Sequence, residues 1–178
     1  LPFLPYRKPD IVGSVKALPE ILRKHGCERI LIITDSGIMG LGLTRRLERV
    51  LTQNQISYYI YDKTVANPTT VNVAEALNMY QTNDCSGIIG FGGGSSMDCA
   101  KAVGARIAKP KQSLAKMKGI LKVHKRLPLL IAVPTTAGTG SETTLAAVIT
   151  DAETRYKYAI NDFPLIPRYA VLDPKVTL

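Results

Sequence analysis

The stretch SGIIGFGGGSSMDCAKAVGARIA (residues 86–108) decides the fold. Its opening, SGIIGF, is a short apolar run of the kind that forms a strand buried on both faces. Its close, from Ser95 onward, carries apolar residues at helical spacing. Between them stand Gly92, Gly93 and Gly94. Three glycines in a row are a poor way to build a core; they serve where the backbone must come close to something else. A bare turn from strand to helix presents backbone N–H groups and the positive end of the helix dipole, which together attract phosphate. The spacing is neither G-x-G-x-x-G nor a loop ending in G-K-[ST], so the turn is generic in type. The bland alternative is a tight turn capped by Ser95, with Asp98 completing a capping box. Asp98 and Lys101, three residues apart, would then make only an ion pair on one helix face.

Outward from this unit the same rhythm repeats. DIVG (10–13) predicts a short strand and SVKALPEILRKH (14–25) a helix, with Ser14 as N-cap and Gly26 closing it. RILIITD (29–35) is a continuous apolar strand, LTRRLERVLTQN (43–54) an amphipathic helix and SYYIYD (57–62) a third strand. PTTVNVAEALNMYQTN (68–83) predicts a helix and PLLIAVP (128–134) another buried strand. Strand and helix in alternation imply crossover connections and a parallel sheet covered on both faces. Beyond residue 140, LAAVITD, YKYAI and YAVLD are β-like pieces without helices between them, which predicts a small antiparallel or mixed addition. The expected fold is α/β: a Rossmann-like, mostly parallel sheet flanked by helices, in a single domain over residues 1–178.

In such sheets ligands lie beyond the carboxyl ends of the strands, and two further stretches fall there. TDSG (34–37) follows RILII and puts a carboxylate, Asp35, at a strand tip. An acid in that place suits the hydroxyls of an adenosine ribose and repels a 2′-phosphate, favouring NAD over NADP. The alternative is a turn or cap residue. VPTTAGTGSETT (133–144) follows another buried strand and holds five Thr, one Ser and two Gly. A loop so rich in hydroxyls and free amides can donate to phosphate or ribose; as a plain surface loop it would be long and oddly β-branched.

Composition bounds the remaining possibilities. At 178 residues, with 46% apolar and 21% charged residues, the chain is of globular single-domain size. No apolar run reaches the ~18 residues of a membrane span, and LPFLPYRKPD is too short and proline-broken for a signal peptide. Cys27, Cys85 and Cys99 are odd in number and scattered, so the expectation is reduced thiols in the cytoplasm. The net charge of +9 comes mainly from residues 109–126, which hold seven Lys or Arg and no acid. No aromatic interrupts that run to stack on a base, so a solvated surface is expected in preference to nucleic-acid binding.

Taken together, GGGSSMDCAK and PTTAGTGSE resemble the two hallmark motifs of the iron-containing, metal-dependent (group III) alcohol dehydrogenases. TDSG, ANPT (66–69), VITD (148–151) with Lys157, and VLDPKVTL (171–178) follow in that family's order. The resemblance covers essentially the whole chain. It implies an α/β dinucleotide-binding half followed by an all-helical metal-binding half, and it implies roles. Asp35 resembles the family's ribose-reading acid, and Asn67 stands where an Asn-Pro pair flanks the cofactor cleft. Gly93, Gly94, Ser95 and Asp98 resemble the loop at the pyrophosphate and nicotinamide. Thr135, Thr136 and Thr139 resemble residues around the adenine and ribose, and Lys157 the lysine that reaches the nicotinamide ribose.

The resemblance further implies interconversion of alcohols with aldehydes or ketones, a divalent metal (iron or zinc) and a homodimer joined through an N-terminal strand such as LPFLPYRKPDIVG. Glycerol or polyol chemistry, and a nucleotide-binding module without catalysis, remain as alternatives. The family's metal ligands, one Asp and three His, belong to the helical half, expected to lie outside this chain. His25 and His124 have no paired ligand spacing. The expectation is therefore a cofactor-binding half with neither catalytic nor metal residues of its own.

Overall fold

The computed structural model describes residues 7–178. The chain runs β1 (Asp10–Val12), α1 (Leu18–Lys24), β2 (Arg29–Ile33), α2 (Ser36–Gly40), α3 (Arg45–Gln53), β3 (Ser57–Tyr61), α4 (Thr70–Thr82), β4 (Gly87–Gly92) and α5 (Gly94–Ala108). It continues through β5 (Gly119–Ile120), β6 (Leu129–Pro134), β7 (Ala146–Thr150), β8 (Lys157–Asn161) and β9 (Tyr169–Val171). Six strands form one sheet in the order β1-β9-β6-β4-β2-β3, and every pairing in it is parallel. Because β2 pairs with β3 on one side and β4 on the other, the winding reverses between β2 and β4. A crevice opens at such a switch point, outside the strands' carboxyl ends.

Alternation along β2 builds the two halves of the core. Leu31 and Ile33 face a cluster with Val73 and Ala76 of α4 and Val103 of α5. Ile30 and Ile32 face the opposite cluster, with Leu18 and Leu22 of α1 and Leu47 and Leu51 of α3. Burying one Leu or Ile side chain contributes roughly 1.5–3 kcal/mol, so the doubly covered sheet is the main source of stability. The three cysteines are free and buried.

Local chemistry explains where the helices begin. The helix expected over 14–25 divides into a 3-10 turn, Val15–Ala17, capped by Ser14, and then α1. Pro19 falls in the first turn of α1, where its missing N–H costs nothing. Gly26 follows with φ of 65°. α4 starts with a reciprocal capping box: Thr69 accepts from the Asn72 backbone, and the Asn72 side chain accepts from the Thr69 N–H. α2 carries no periodicity to read because it is only five residues long, Ser36–Gly40.

The expected β addition exists in altered form. β7 and β8 make an antiparallel pair, and β5 adds parallel to β8. YAVLD is not part of it. Its strand, β9, enters the main sheet between β6 and β1. The basic run 109–126 supplies β5 and buries Leu114, Met117 and Val123 in the core. Its tip is held by Asp162, whose carboxylate accepts from the backbone N–H groups of Val123 and His124 at 3.0 and 2.9 Å. The segment is thus a clamped cover with its charges on the outer side, rather than a loose tail. Among the described residues no helix is long and apolar enough to cross a membrane.

Candidate functional site

The three stretches singled out from sequence meet at the switch point. β4 ends at Gly92, whose φ of 142° lies in the region that only glycine adopts freely. Gly93 is the N-cap of α5 and no side chain caps the helix. The capping box expected from Ser95 and Asp98 is therefore absent. Ser95 lies inside the helix, and its Oγ accepts from the Asn67 N–H at 3.3 Å. The first-turn amides of α5 are left without a side-chain oxygen, a site that attracts an anion.

The hydroxyl-rich loop after β6 forms the facing wall. The Thr135 N–H donates to the Gly92 carbonyl at 2.9 Å, joining the ends of β4 and β6. A Cβ placed on Gly93 would stand 3.6 Å from Thr136 Oγ1. One on Gly94 would stand 3.4 Å from Ser141 Oγ and 3.9 Å from Thr139. Thr136 and Thr139 are exposed, Thr135 buried. Thr34 Oγ1, Ser96 Oγ and Thr135 Oγ1 are buried without any hydrogen-bond partner. All three lie at the carboxyl ends of strands or in the first turn of α5. Unpaired buried hydroxyls are costly, and these three, Thr64 Oγ1 and the Tyr158 hydroxyl are the unpartnered ones among the described residues.

Asp35 closes the β2 side. It is the N-cap of α2, with Oδ1 accepting from the Ile38 N–H at 2.8 Å, so the cap role read from sequence is real. One oxygen caps the helix, and the carboxylate still stands at the tip of β2. On the far side a cleft of about 360 Å³ is lined by Ala66, Asn67, Thr69, Thr150, Arg155 and Lys157. It lies within the size range of small-molecule sites. Asn67 has φ of 57° and connects this cleft, through Ser95, to the start of α5. Asp151 shapes the turn that delivers Arg155 and Lys157. Its Oδ1 accepts from the Glu153 and Thr154 N–H groups, each at 2.9 Å, and those bonds hold its carboxyl below the usual range.

Asp98 and Lys101 depart from the ion pair expected of them. Lys101 is 1% exposed, and its Nζ donates to the carbonyls of Ser141, Thr144 and Ala146 and to Thr144 Oγ1 at 2.7–3.1 Å. Burial draws its ammonium down to about 8, against the upward pull of Asp98 and Glu142. Burial pushes the Asp98 carboxyl up to about 6, against the Val148 backbone N–H and the Lys101 charge.

Of the ten residues picked out from sequence, Gly93, Gly94, Ser95, Thr135, Thr136 and Thr139 lie where β4 and β6 end, Asn67 bonds Ser95 and shares the cleft with Lys157, and Asp35 stands at the tip of β2. Asp98 lies beside β7. Sequence reasoning missed Ser96 and Arg155. A second serine after the glycines, and a cation two residues before Lys157, were the available signals. His25 bonds to the Tyr169 hydroxyl at 2.8 Å, at the amino end of the sheet and away from the crevice. His124 sits in the basic segment. Among the described residues no group of three or more His, Cys, Asp or Glu side chains could hold a metal ion.

Comparison with known proteins gives the family. The family model for iron-containing alcohol dehydrogenase matches residues 11–174. The probable alcohol dehydrogenase EutG of Escherichia coli is 38% identical over 165 residues, covering 93% of this chain and 42% of that protein. The NAD-dependent methanol dehydrogenase of Bacillus methanolicus is 32% identical over 164 residues, covering 92% of this chain and 43% of that protein. The crystal structure of a 1,3-propanediol oxidoreductase superposes with a TM-score of 0.91 at 29% identity, covering 97% of this chain and 46% of that one. The chain thus spans less than half the length of the relatives it matches. With the motifs, the strand order and the family match in agreement, the chain belongs to the iron-containing alcohol dehydrogenase family.

Proposed function

We propose that this chain is the NAD-binding half of a metal-dependent alcohol dehydrogenase, holding the cofactor while hydride passes between an alcohol and the nicotinamide ring. The observation that carries the reading is the uncapped start of α5 at Gly93–Ser95, set at the switch point and surrounded by unpartnered hydroxyls. When bound, NAD supplies the hydride acceptor. The chain's own residues bind and orient it. Amides of Gly94 and Ser95 receive the pyrophosphate, and a Cβ at Gly94 would occupy the same space. Thr135, Thr136 and Thr139 bond the adenosine end, and the remaining oxygen of Asp35 accepts from its ribose hydroxyls. Asn67 and Lys157, with Arg155, hold the nicotinamide ribose in the 360 Å³ cleft. The NAD dependence of the methanol dehydrogenase supports the choice of cofactor.

On this reading the chain's contribution to rate is positioning of the cofactor. The metal, iron or zinc, belongs on this reading to ligands outside this chain. Pairing of two copies through the edge of β1, where Ile11 is exposed, completes the proposal; the segment LPFLPY expected to join that strand lies outside the described residues.

Calorimetric titration of the 178-residue chain with NAD and then NADP, each with and without EDTA, tests the cofactor role. Saturable NAD binding that ignores chelator, with NADP clearly weaker, is the expected result. Asp35→Ala removes the difference between the two nucleotides. Alcohol oxidation by this chain alone, insensitive to EDTA, overturns the division of labour.

A further inference from the structure

Of the GGGSSMDCAK motif, Lys101 is the residue that cofactor contact leaves unexplained. Its ammonium ends in a ring of oxygens. Its three N–H bonds meet four acceptors, the Ser141, Thr144 and Ala146 carbonyls and Thr144 Oγ1. Those acceptors lie 40–45 residues downstream, at the end of the hydroxyl-rich loop and the start of β7. Burying an ammonium is costly even when it is well bonded. An apolar side chain would fill the volume more cheaply but would leave three inward carbonyls unpaired. The loop has no regular structure between β6 and β7, so its shape depends on such ties.

We infer that Lys101 is a positioning residue for cofactor binding: its ammonium fixes segment 141–146 so that Thr139 and Ser141 stand against Gly94. The inference rests on the NAD reading above and extends it to a side chain that touches no cofactor. The charged groups bearing on Lys101 are Asp98 from its own helix and Glu142 from the loop; β7 contributes the Ala146 carbonyl. A neutral amine offers two donors and turns a lone pair toward the carbonyls, so the tie weakens on deprotonation. Because burial brings that step down to about 8, the protonated, loop-fixing form is complete below it and is lost as pH rises through it.

The test is NAD titration of the unmutated chain, Lys101→Met and Lys101→Arg from about pH 6.5 to about 9.5, with hydrogen exchange of residues 138–146 corrected for intrinsic rate. For the unmutated chain, NAD affinity falls as pH rises through about 8. Lys101→Met binds roughly ten- to hundredfold more weakly, the scale of lost charge-assisted bonds. It shows no inflection, and its loop exchanges faster while melting stays cooperative. Lys101→Arg recovers part of the affinity with a flat profile, since guanidinium does not titrate in this range. Unaltered affinity in Lys101→Met overturns the inference. If that variant does not fold, the unmutated chain decides: a flat affinity profile through pH 8 overturns the inference while leaving the NAD reading intact. Thr144→Val, which removes one acceptor, should then move the inflection to lower pH. Failure of the unmutated chain to bind NAD at any pH sinks both.

Discussion

Gly92 and Gly94 lie two residues apart and are required for different reasons. Gly92 has φ of 142°, and a Cβ there would come within 2.8 Å of Ser96 Oγ, so Gly92→Ala strains the fold itself. A cost of about 1–3 kcal/mol is expected, measured as a lowered denaturation midpoint. A Cβ on Gly94 meets nothing closer than 3.4 Å. Gly94→Val should therefore melt near the unmutated chain and yet lose NAD binding, since the side chain fills the space proposed for pyrophosphate. Equal loss of stability in both variants would reduce the glycines to a turn. Asp98 gives a pH-dependent prediction. Its folded pKa, about 6, lies above the ordinary 3.8, so the folded state holds the proton more tightly between those values. The stability this provides is full below about pH 4 and lost as pH rises through about 6. Asp98→Asn should thus be the more stable protein at pH 7, by about 2–3 kcal/mol, and the gain should be nearly gone by about pH 4. Thermal melts at the two pH values check it. The glycines were legible as a bare turn from strand to helix because three together build no core. The bonds of Lys101 were not, because all its partners lie 40 or more residues away along the chain.

Elements of ordinary length were legible, and their joints were not. RILII, GIIGFG and LLIAVP each form the strand expected, since both faces of the sheet are covered and no alternation need be read. Tyr169–Val171, three buried residues, carries no mark of which sheet it joins; pairing with β6 and β1 settles that. α4 shows how a single joint works. Asn72 is 6% exposed, completes the capping box with Thr69, and donates to the Tyr61 hydroxyl at 3.1 Å and the Lys63 carbonyl at 3.0 Å. The bonds tie the start of α4 to the end of β3. Asn72→Ala removes the side-chain half of the box and the bonds to Tyr61 and Lys63, so a loss of about 1–3 kcal/mol is expected. Urea unfolding measures it, and a loss below about 0.5 kcal/mol would mean that the cap is idle.

Across the whole molecule one carboxylate links three distant parts of the chain. Asp173, 2% exposed, accepts from the Val15 N–H at 2.9 Å, the Lys175 N–H at 2.9 Å and Arg46 Nε at 3.3 Å. Burial pushes its carboxyl up, but the Val15 and Lys175 amides and Arg46 outweigh that and hold it below its ordinary value. A carboxyl lowered by folding contributes stability above the ordinary carboxylate range, and that stability is lost as pH falls through the folded value. Asp173→Ala should cost about 3–5 kcal/mol at neutral pH, as expected when one partner of a buried pair is removed. Below about pH 4 its unfolding midpoint should approach that of the unmutated chain; a constant difference at every pH would contradict the assignment. DPKVTL was read from sequence only as a family marker, because the partners of Asp173 stand at the other end of the chain. The same long reach governs β1. Among the described residues Asp10–Val12 pairs with Tyr169–Val171 and with no other strand, so β1 waits for β9. At a synthesis rate of about 5–20 residues per second, roughly 10–30 seconds separate the two on the ribosome. During that interval β9 does not exist, the β6 edge is open, and Ile11 and Val12 have no partner. Assembly of the sheet therefore starts among β2, β3 and β4, and the open edge of β6 is a surface prone to aggregate until β9 emerges.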